Sequence, residues 1–323
     1  MHLKRAWFKI TSKGVLCITL LTLLAAAGCD EAQHEKEPSK LDREQLLAHV
    51  RVLSSDEYEG RKTGTPGGLK ALEYVKTQLG SFNLNPCYEN IAQPFSFMSR
   101  SSDVPVVGTN VVGIVAGTGA STKKIVITAH FDHLGTRDEG IYNGADDNAS
   151  GTGSLLEIAR YFSENPPEHS IIFASLDGEE FGLKGAAALV TTNCIVDNDV
   201  VLNINMDMVS RSDKKELYVS GTSHYPFLKP VVESVSPQDH VKLIFGHDVE
   251  GTGSNDWTYA SDQGPFHQIG IPFLYFGVED HAGYHNPTDD FENITPEFYV
   301  GASNTILDVI LAFDRSLDTL KAQ

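Results

Sequence analysis

Residues 124–132 read KIVITAHFD. A run of β-branched and apolar residues with no charge between Ile125 and Ala129 fits a strand buried on both faces. Three more runs have the same form. Residues 170–176 (SIIFASL) lead into Asp177-Gly178-Glu179-Glu180, residues 200–206 (VVLNINM) into Asp207, and residues 272–276 (PFLYF) precede a loop carrying His285. A further strand is expected at Glu216–Val219, and one or two over Val104–Val115. Helical patterns alternate with them at Thr152–Ser163, Leu183–Thr191, Pro226–Val235 and Thr295–Leu317, the last with Thr295 as cap and Pro296 at the first helical position. Upstream, Leu46, Leu47, Val50 and Leu53 share a helical face with Asp42 as cap. A turn-rich stretch, GRKTGTPGG at 60–68, precedes an amphipathic helix from about Leu69 to Leu79. This alternation predicts an α/β fold, a three-layer α/β/α sandwich around a mostly parallel sheet. No repeat and no second domain-sized block interrupts it, so residues 41–323 read as one domain.

In open α/β sheets, ligands bind beyond the carboxyl ends of the strands. The chain places His130, Asp146, Glu180, Asp207 and His285 there, each just after a strand or in the loop that follows one. Two histidines and three carboxylates suit two adjacent zinc ions, provided one carboxylate bridges them. Glu179 is free to act as a base. Asp132, two residues after His130, can accept the other ring N–H and fix the tautomer. In YNGADDNASG (142–151), small residues let the backbone approach an ion. Asp207 ends an apolar run, a costly place for a carboxylate unless it is paired or metal-bound. Asp289 is a candidate partner for His285. Each motif alone has a plainer reading as a cap, an acidic turn or solvated surface, with Asn148 or Ser150 capping the helix after the paired aspartates. The combination carries the weight. His133, His224, His247, His267 and His281 lack such company and read as structural or exposed. Trp257, Tyr259, Phe276 and Tyr284 flank the ligand loops, either lining an apolar side-chain pocket or packing those loops. The loops 131–149 and 246–268 are long enough to shape such a pocket.

Taken together, these motifs resemble the two-zinc aminopeptidase family that includes the bacterial leucyl aminopeptidases, with glutamate carboxypeptidase II, the transferrin receptor and the glutaminyl cyclases as distant relatives. The resemblance spans roughly residues 41–315. It includes LSSDEYEGRKTGTPGGLKALEYV near the start, and Ser261-Asp262 through Phe266 followed by Gly270-Ile271-Pro272. It implies a phosphorylase/hydrolase-like zinc exopeptidase architecture. It also implies that His130 and Asp207 hold one zinc, Glu180 and His285 the other, that Asp146 bridges them through a cis bond to Asp147, and that Glu179 is the general base. Gln263 departs from the His that relatives often carry after Ser-Asp. Zinc is expected, although oxygen-rich sites also take manganese or cobalt. The activity implied is removal of N-terminal residues from peptides. The alternatives are a carboxypeptidase or specialised peptidase in the same framework, and a non-catalytic envelope lipoprotein that uses the fold to bind.

The first residues read as a targeting segment. Lys4, Arg5, Lys9 and Lys13 form a basic region, and Gly14 to Gly28 is apolar but short for a membrane span. Leu24-Ala25-Ala26-Ala27-Gly28-Cys29 resembles a bacterial lipoprotein signal, with Ala26 where Leu is commonest. That implies cleavage of residues 1–28, a lipid on Cys29, a polar tether over 29–40 and a membrane-anchored domain in the periplasm-facing envelope. Asp30 resembles an inner-membrane retention signal. The net charge is −18, and no basic run remains beyond the signal, which excludes nucleic acid as a partner class. Cys87 and Cys194 are then left in an oxidising compartment, free to pair or to stay as buried thiols.

Overall fold

The uninterrupted apolar runs become the parallel centre of the sheet. The computed structural model describes residues 39–99 and 103–320. Along these the strands are β1 (Asn85–Pro86), β2 (Ala92–Met98), β3 (Pro105–Val115), β4 (Lys123–His130), β5 (Gly135–Arg137), β6 (Gly140–Tyr142), β7 (Ser170–Leu176), β8 (Asp199–Met206), β9 (Glu216–Ser220), β10 (Lys242–Phe245) and β11 (Phe273–Gly277). The helices are α1 (Arg43–Leu53), α2 (Pro66–Ser81), α3 (Gly151–Glu164), α4 (Lys184–Leu189), α5 (Asn193–Val196), α6 (Lys229–Glu233), α7 (Gln263–Gln268) and α8 (Pro296–Ser316).

The main sheet runs β1-β3-β7-β4-β8-β11-β9-β10, with β2 also paired to β3. Strands β7, β4, β8 and β11 are mutually parallel, while β3 and β9 run antiparallel to their inner neighbours β7 and β11. Register aligns His130 with Leu176 and Phe276 with Met206, so the four parallel strands end along one edge. Side chains alternate between two cores, as strand geometry requires. Ile125, Ile127, Phe173, Ile204 and Phe276 join the larger core, which contains residues of α1, α2, α3 and α8. Val126, Ile172, Ala174 and Leu176 face a smaller core with Leu189 and Phe266. Each fully buried Ile or Phe contributes roughly 1.5–3 kcal/mol of transfer free energy.

Local signals place the helices. Asp42 accepts from the N–H groups of Glu44 and Gln45, and Thr65 from that of Gly68, with Pro66 opening α2. Thr295 precedes α8 without a side-chain cap bond. The helix expected over 226–235 is a 3-10 turn, Pro226–Leu228, followed by the short α6. Strand β3 is one continuous strand. Strands β2 and β10 and helix α7 were not expected. Among the described residues no helix is long and apolar enough to cross a membrane.

The signal segment, Cys29, Asp30 and the tether up to residue 38 lie outside the described residues. Ser39 and Lys40 do not belong to a free tether. The Lys40 N–H donates to Asn304 Oδ1 at 3.0 Å, and its ammonium sits 2.6 Å from Asp308 Oδ1. Cys87 and Cys194 are joined as a disulfide with Cα atoms 5.5 Å apart, tying the residue after β1 to α5.

Candidate metal centre and active site

Five side chains at or beyond the carboxyl ends of the parallel strands converge. His130 Nε2 lies 3.3 Å from Asp207 Oδ1 and 3.5 Å from Asp147 Oδ1. On the other side of the same carboxylate, His285 Nε2 lies 3.2 Å from Asp147 Oδ2 and 3.5 Å from Glu180 Oε2. The two oxygens of Asp147 thus face two separate donor sets. These spacings match the ~3.3 Å edge of a tetrahedron built on zinc bonds of ~2.0–2.1 Å. His130 Nε2 and Asp207 Oδ1 are buried without a hydrogen-bond partner among the described residues. Such atoms are costly unless a cation meets them. The residues present therefore fit two ions.

Asp147, not the expected Asp146, is the carboxylate that lies between the two donor sets. Asp146 is turned into the protein, where its Oδ1 accepts from the Ser210 N–H at 2.7 Å and the Ser210 hydroxyl at 2.8 Å, and its Oδ2 lies 2.9 Å from His281 Nε2. The cis peptide is likewise Asp147–Asn148. The turn is made possible by Gly144 at φ +58°, where a Cβ would collide with the Asp147 carbonyl and the His133 ring. His285 itself sits at φ +51°, a conformation that persists in a non-glycine residue only where its surroundings impose it.

The partners that brace these side chains also differ from expectation. His130 Nδ1 faces the main-chain oxygen of Asp132 at 3.1 Å, while the Asp132 carboxylate stands 3.7 Å away. That carboxylate instead accepts the Glu179 N–H at 3.0 Å and the Glu180 N–H at 3.4 Å. Asp132 therefore fixes the turn carrying both glutamates. Asp289 does not touch His285; it accepts the N–H groups of Asp146 and Asp147. His133, expected to be merely structural or exposed, is fully buried with Nδ1 2.8 Å from Glu180 Oε1 and 3.7 Å from Asp147 Oδ2. Its place three residues after His130 was the one signal for this.

Sequence reasoning missed Arg61 outright. Its guanidinium is fully buried and donates to the carbonyls of Phe131, Leu53, Asn143 and Gly144. Burial lowers its pKa to about 10, partly offset by Asp147 and Asp289, so it stays charged at neutral pH. Two residues on, the Thr63 hydroxyl lies 3.1 Å from Asp132 Oδ2 and 2.7 Å from Asp177 Oδ1.

Electrostatics follow from burial and crowding. Burial raises the Glu179 carboxyl well above its ordinary range; His130 lowers it, while Asp262, Glu180 and Asp207 add to the rise. One Glu179 oxygen, a His130 nitrogen and an Asp207 oxygen lie within 4.8 Å of one another. Burial also pushes Glu180 up, but His133 and His285 outweigh it and hold the carboxyl well below the usual range. Burial lowers His285, whereas Asp147 and Glu180 raise it to about 10 overall.

A pocket of about 330 Å³ opens over these ligands, lined by Trp257, Tyr259, Tyr275 and Tyr284 among others. Tyr284 stacks on His285 with centroids 4.0 Å apart, and Trp257 stacks on His247 at 3.6 Å. Phe276 is not part of it. It is fully buried in the larger core, and alternation along β11 gives the pocket to Tyr275, whose hydroxyl donates to the Asp207 carbonyl at 3.1 Å. Gln263 braces the wall, donating to the Trp257 carbonyl at 2.6 Å and accepting from Asn205 Nδ2 at 3.0 Å. His224 and His267 lie away from the ligands, bonded to Thr258 and Tyr225.

Comparison with known proteins agrees with this geometry. Aminopeptidase YwaD of Bacillus subtilis (strain 168) is 32% identical over 205 residues, covering 58% of this chain and 41% of that protein. The alkaline phosphatase isozyme conversion protein of Escherichia coli (strain K12) is 28% identical over 170 residues, 49% of each chain. This chain thus spans about half the length of these curated relatives, or less. Among solved structures, the zinc aminopeptidase BSAP from Bacillus subtilis superposes with a TM-score of 0.66 at 19% identity, over 85% of this chain and 96% of that one. A glutaminyl cyclase from Fimbriiglobus ruber does so with a TM-score of 0.67 at 17% identity, over 86% and 97%. At these identities the likeness is one of fold. The model of peptidase family M28 matches residues 110–310, and the chain belongs to that family.

Proposed function

We propose that this protein is a two-zinc aminopeptidase that releases the first residue of peptides. The observation that carries the reading is the pocket itself. Asp147, Glu179, Glu180, Asp207 and Asp280 line it, and no Lys or Arg does among the described residues. Such a surface attracts a substrate's free ammonium group and disfavours a terminal carboxylate, which argues against a carboxypeptidase. A non-catalytic binding protein has no need of two donor sets divided by one carboxylate, and that division also separates this reading from one-zinc cyclase chemistry.

His130, Asp147 and Asp207 would hold one ion, and Asp147, Glu180 and His285 the other. Bound zinc supplies Lewis acidity, which polarises a carbonyl and eases deprotonation of water. Glu179 takes the proton of the attacking water and returns it to the leaving amine, so the first peptide bond breaks and a free residue departs. Asp132 keeps Glu179 in place by accepting its N–H. Trp257, Tyr259, Tyr275 and Tyr284 receive the first side chain and exclude water around it. We further propose that the protein is held by a lipid on Cys29 in a bacterial envelope, at the inner membrane as Asp30 suggests, with its catalytic domain in an oxidising compartment. The disulfide suits that address.

The test is a panel of short peptides with free and acetylated N-termini, assayed with zinc and with chelator. The expected result is release of the first residue only, abolished by acetylation and by chelation. Glu179→Gln should lower turnover by about 10² or more while zinc content is retained. Cleavage that ignores acetylation, or full turnover in Glu179→Gln, overturns the assignment.

A further inference from the structure

Glu180 is held at both ends. Asp132 Oδ2 accepts its N–H at 3.4 Å. Its carboxylate is met by two histidines, His285 with Nε2 3.5 Å from Oε2, and His133 with Nδ1 2.8 Å from Oε1. The two differ in setting. His285 is exposed and lines the pocket, whereas His133 is fully buried.

Arg61 and Gly144 fix the His133 ring. The His133 N–H donates to the Arg61 carbonyl at 3.4 Å. A Cβ at Gly144 would come within 2.7 Å of the ring carbons Cγ and Cδ2, so the missing side chain there makes the slot for the imidazole. The Arg61 guanidinium in turn holds the Gly144 carbonyl at 2.8 Å.

Of the two ring nitrogens, Nε2 is sealed in the interior without a partner among the described residues. Nδ1 is the one that meets the site. A carboxylate oxygen accepts and does not donate, so at 2.8 Å the hydrogen sits on Nδ1. A ring nitrogen that carries hydrogen has no lone pair for a metal. His133 is therefore a donor to a ligand and not a further ligand, although Nδ1 also lies 3.7 Å from Asp147 Oδ2.

We propose that His133 is a positioning residue that occupies Oε1 of Glu180 and so makes Glu180 meet its ion through Oε2 alone. A carboxylate holds an ion with one oxygen or with both. Held with one, the ion keeps a place open for substrate, which separates a catalytic site from a closed structural one. The inference rests on the two-metal aminopeptidase reading and names the residue that keeps one of its sites open.

The experiment loads the full protein with cobalt(II), which absorbs visible light more strongly when four-coordinate than when five- or six-coordinate. Without the donor, Glu180 turns both oxygens to the ion. His133→Leu should therefore retain two equivalents of cobalt but lose visible absorption, and in the zinc form should lower kcat on a tripeptide about ten-fold or more. Asparagine carries its amide nitrogen near the place of Nδ1, and glutamine near that of Nε2. His133→Asn should restore spectrum and turnover, and His133→Gln neither. A Leu variant with the spectrum and turnover of the unaltered protein overturns the proposal. So does equal rescue by Asn and Gln, which a packing role predicts. If the Leu variant does not fold, the Asn and Gln variants decide alone. A spectrum that depends on His133, in a protein that cleaves no peptide, upholds the positioning role and defeats the aminopeptidase reading. Acetylation-sensitive cleavage with a spectrum indifferent to His133 does the reverse.

Discussion

Asp146 and Asp147 are the sharpest contrast within the site. Both are buried, adjacent and acidic, yet one faces two donor sets and the other faces Ser210 and His281. Asp147→Asn should reduce bound zinc from two equivalents to one or fewer. Asp146→Asn should retain both while lowering the melting temperature, because the Ser210 N–H and hydroxyl lose a charged acceptor. Metal analysis with a melting curve checks both, and equal zinc loss in the two variants contradicts the assignment. His285 gives a second expectation. With a pKa near 10 in the unloaded site, it is protonated at neutral pH and must lose that proton to bind metal. Zinc binding near pH 7 should therefore release protons, and apparent affinity should rise with pH toward 10. Calorimetry in buffers of differing ionisation enthalpy measures this; a zero slope refutes it. The residue types and their order were legible because four strands end in ligand-type side chains. The choice between two neighbouring aspartates was not, since neither period of two nor period of 3.6 applies within an irregular turn. Phe276 was named in place of Tyr275 for a related reason. Alternation says that they face opposite ways, but not which face holds the site.

At the scale of elements, the buried strands announced themselves and the edges did not. Strands β4, β7, β8 and β11 are apolar because both faces are covered. Strand β2 pairs on one side with β3 and carries Pro94, a residue that argues against a strand interior. Strand β10 is four residues at the end of the sheet, and α7 holds Gly264 and Pro265 within six. Tertiary packing, not local propensity, sets these elements. The stretch GRKTG read as a turn and as part of the family resemblance, with no role for Arg61 or Thr63, which join α1 to the loops of β4 and β7. Thr63→Val keeps the shape but leaves Asp132 and Asp177 without their shared hydroxyl. Burial and Asp132 already raise Asp177 to about 7. The substitution should cost about 1–3 kcal/mol, read as a lower urea midpoint with unchanged slope. An unchanged midpoint would show that the hydroxyl contributes nothing.

Over the whole molecule, the Cys87–Cys194 disulfide spans 107 residues of sequence. In the chain-entropy account, closing a loop of that size restricts the unfolded state by up to about 4.7 kcal/mol. Reduction should therefore lower the denaturant midpoint substantially while zinc content at low denaturant is kept, because neither cysteine touches the ligands. Coincident midpoints with and without reductant would contradict this. The pairing was beyond sequence reasoning, which sees spacing but not whether two Cα atoms come within bonding range.

Arg61 reaches across 83 residues to the Gly144 carbonyl and 82 to that of Asn143. The buried guanidinium is only part-satisfied by Leu53 and Phe131 without those two oxygens, and among the described residues no other cation donates to them. A chain growing from its N-terminus has the arginine long before its acceptors. The loops carrying the donor residues can take shape only when both are present, so the two donor sets come together with completion of the fold and not before it.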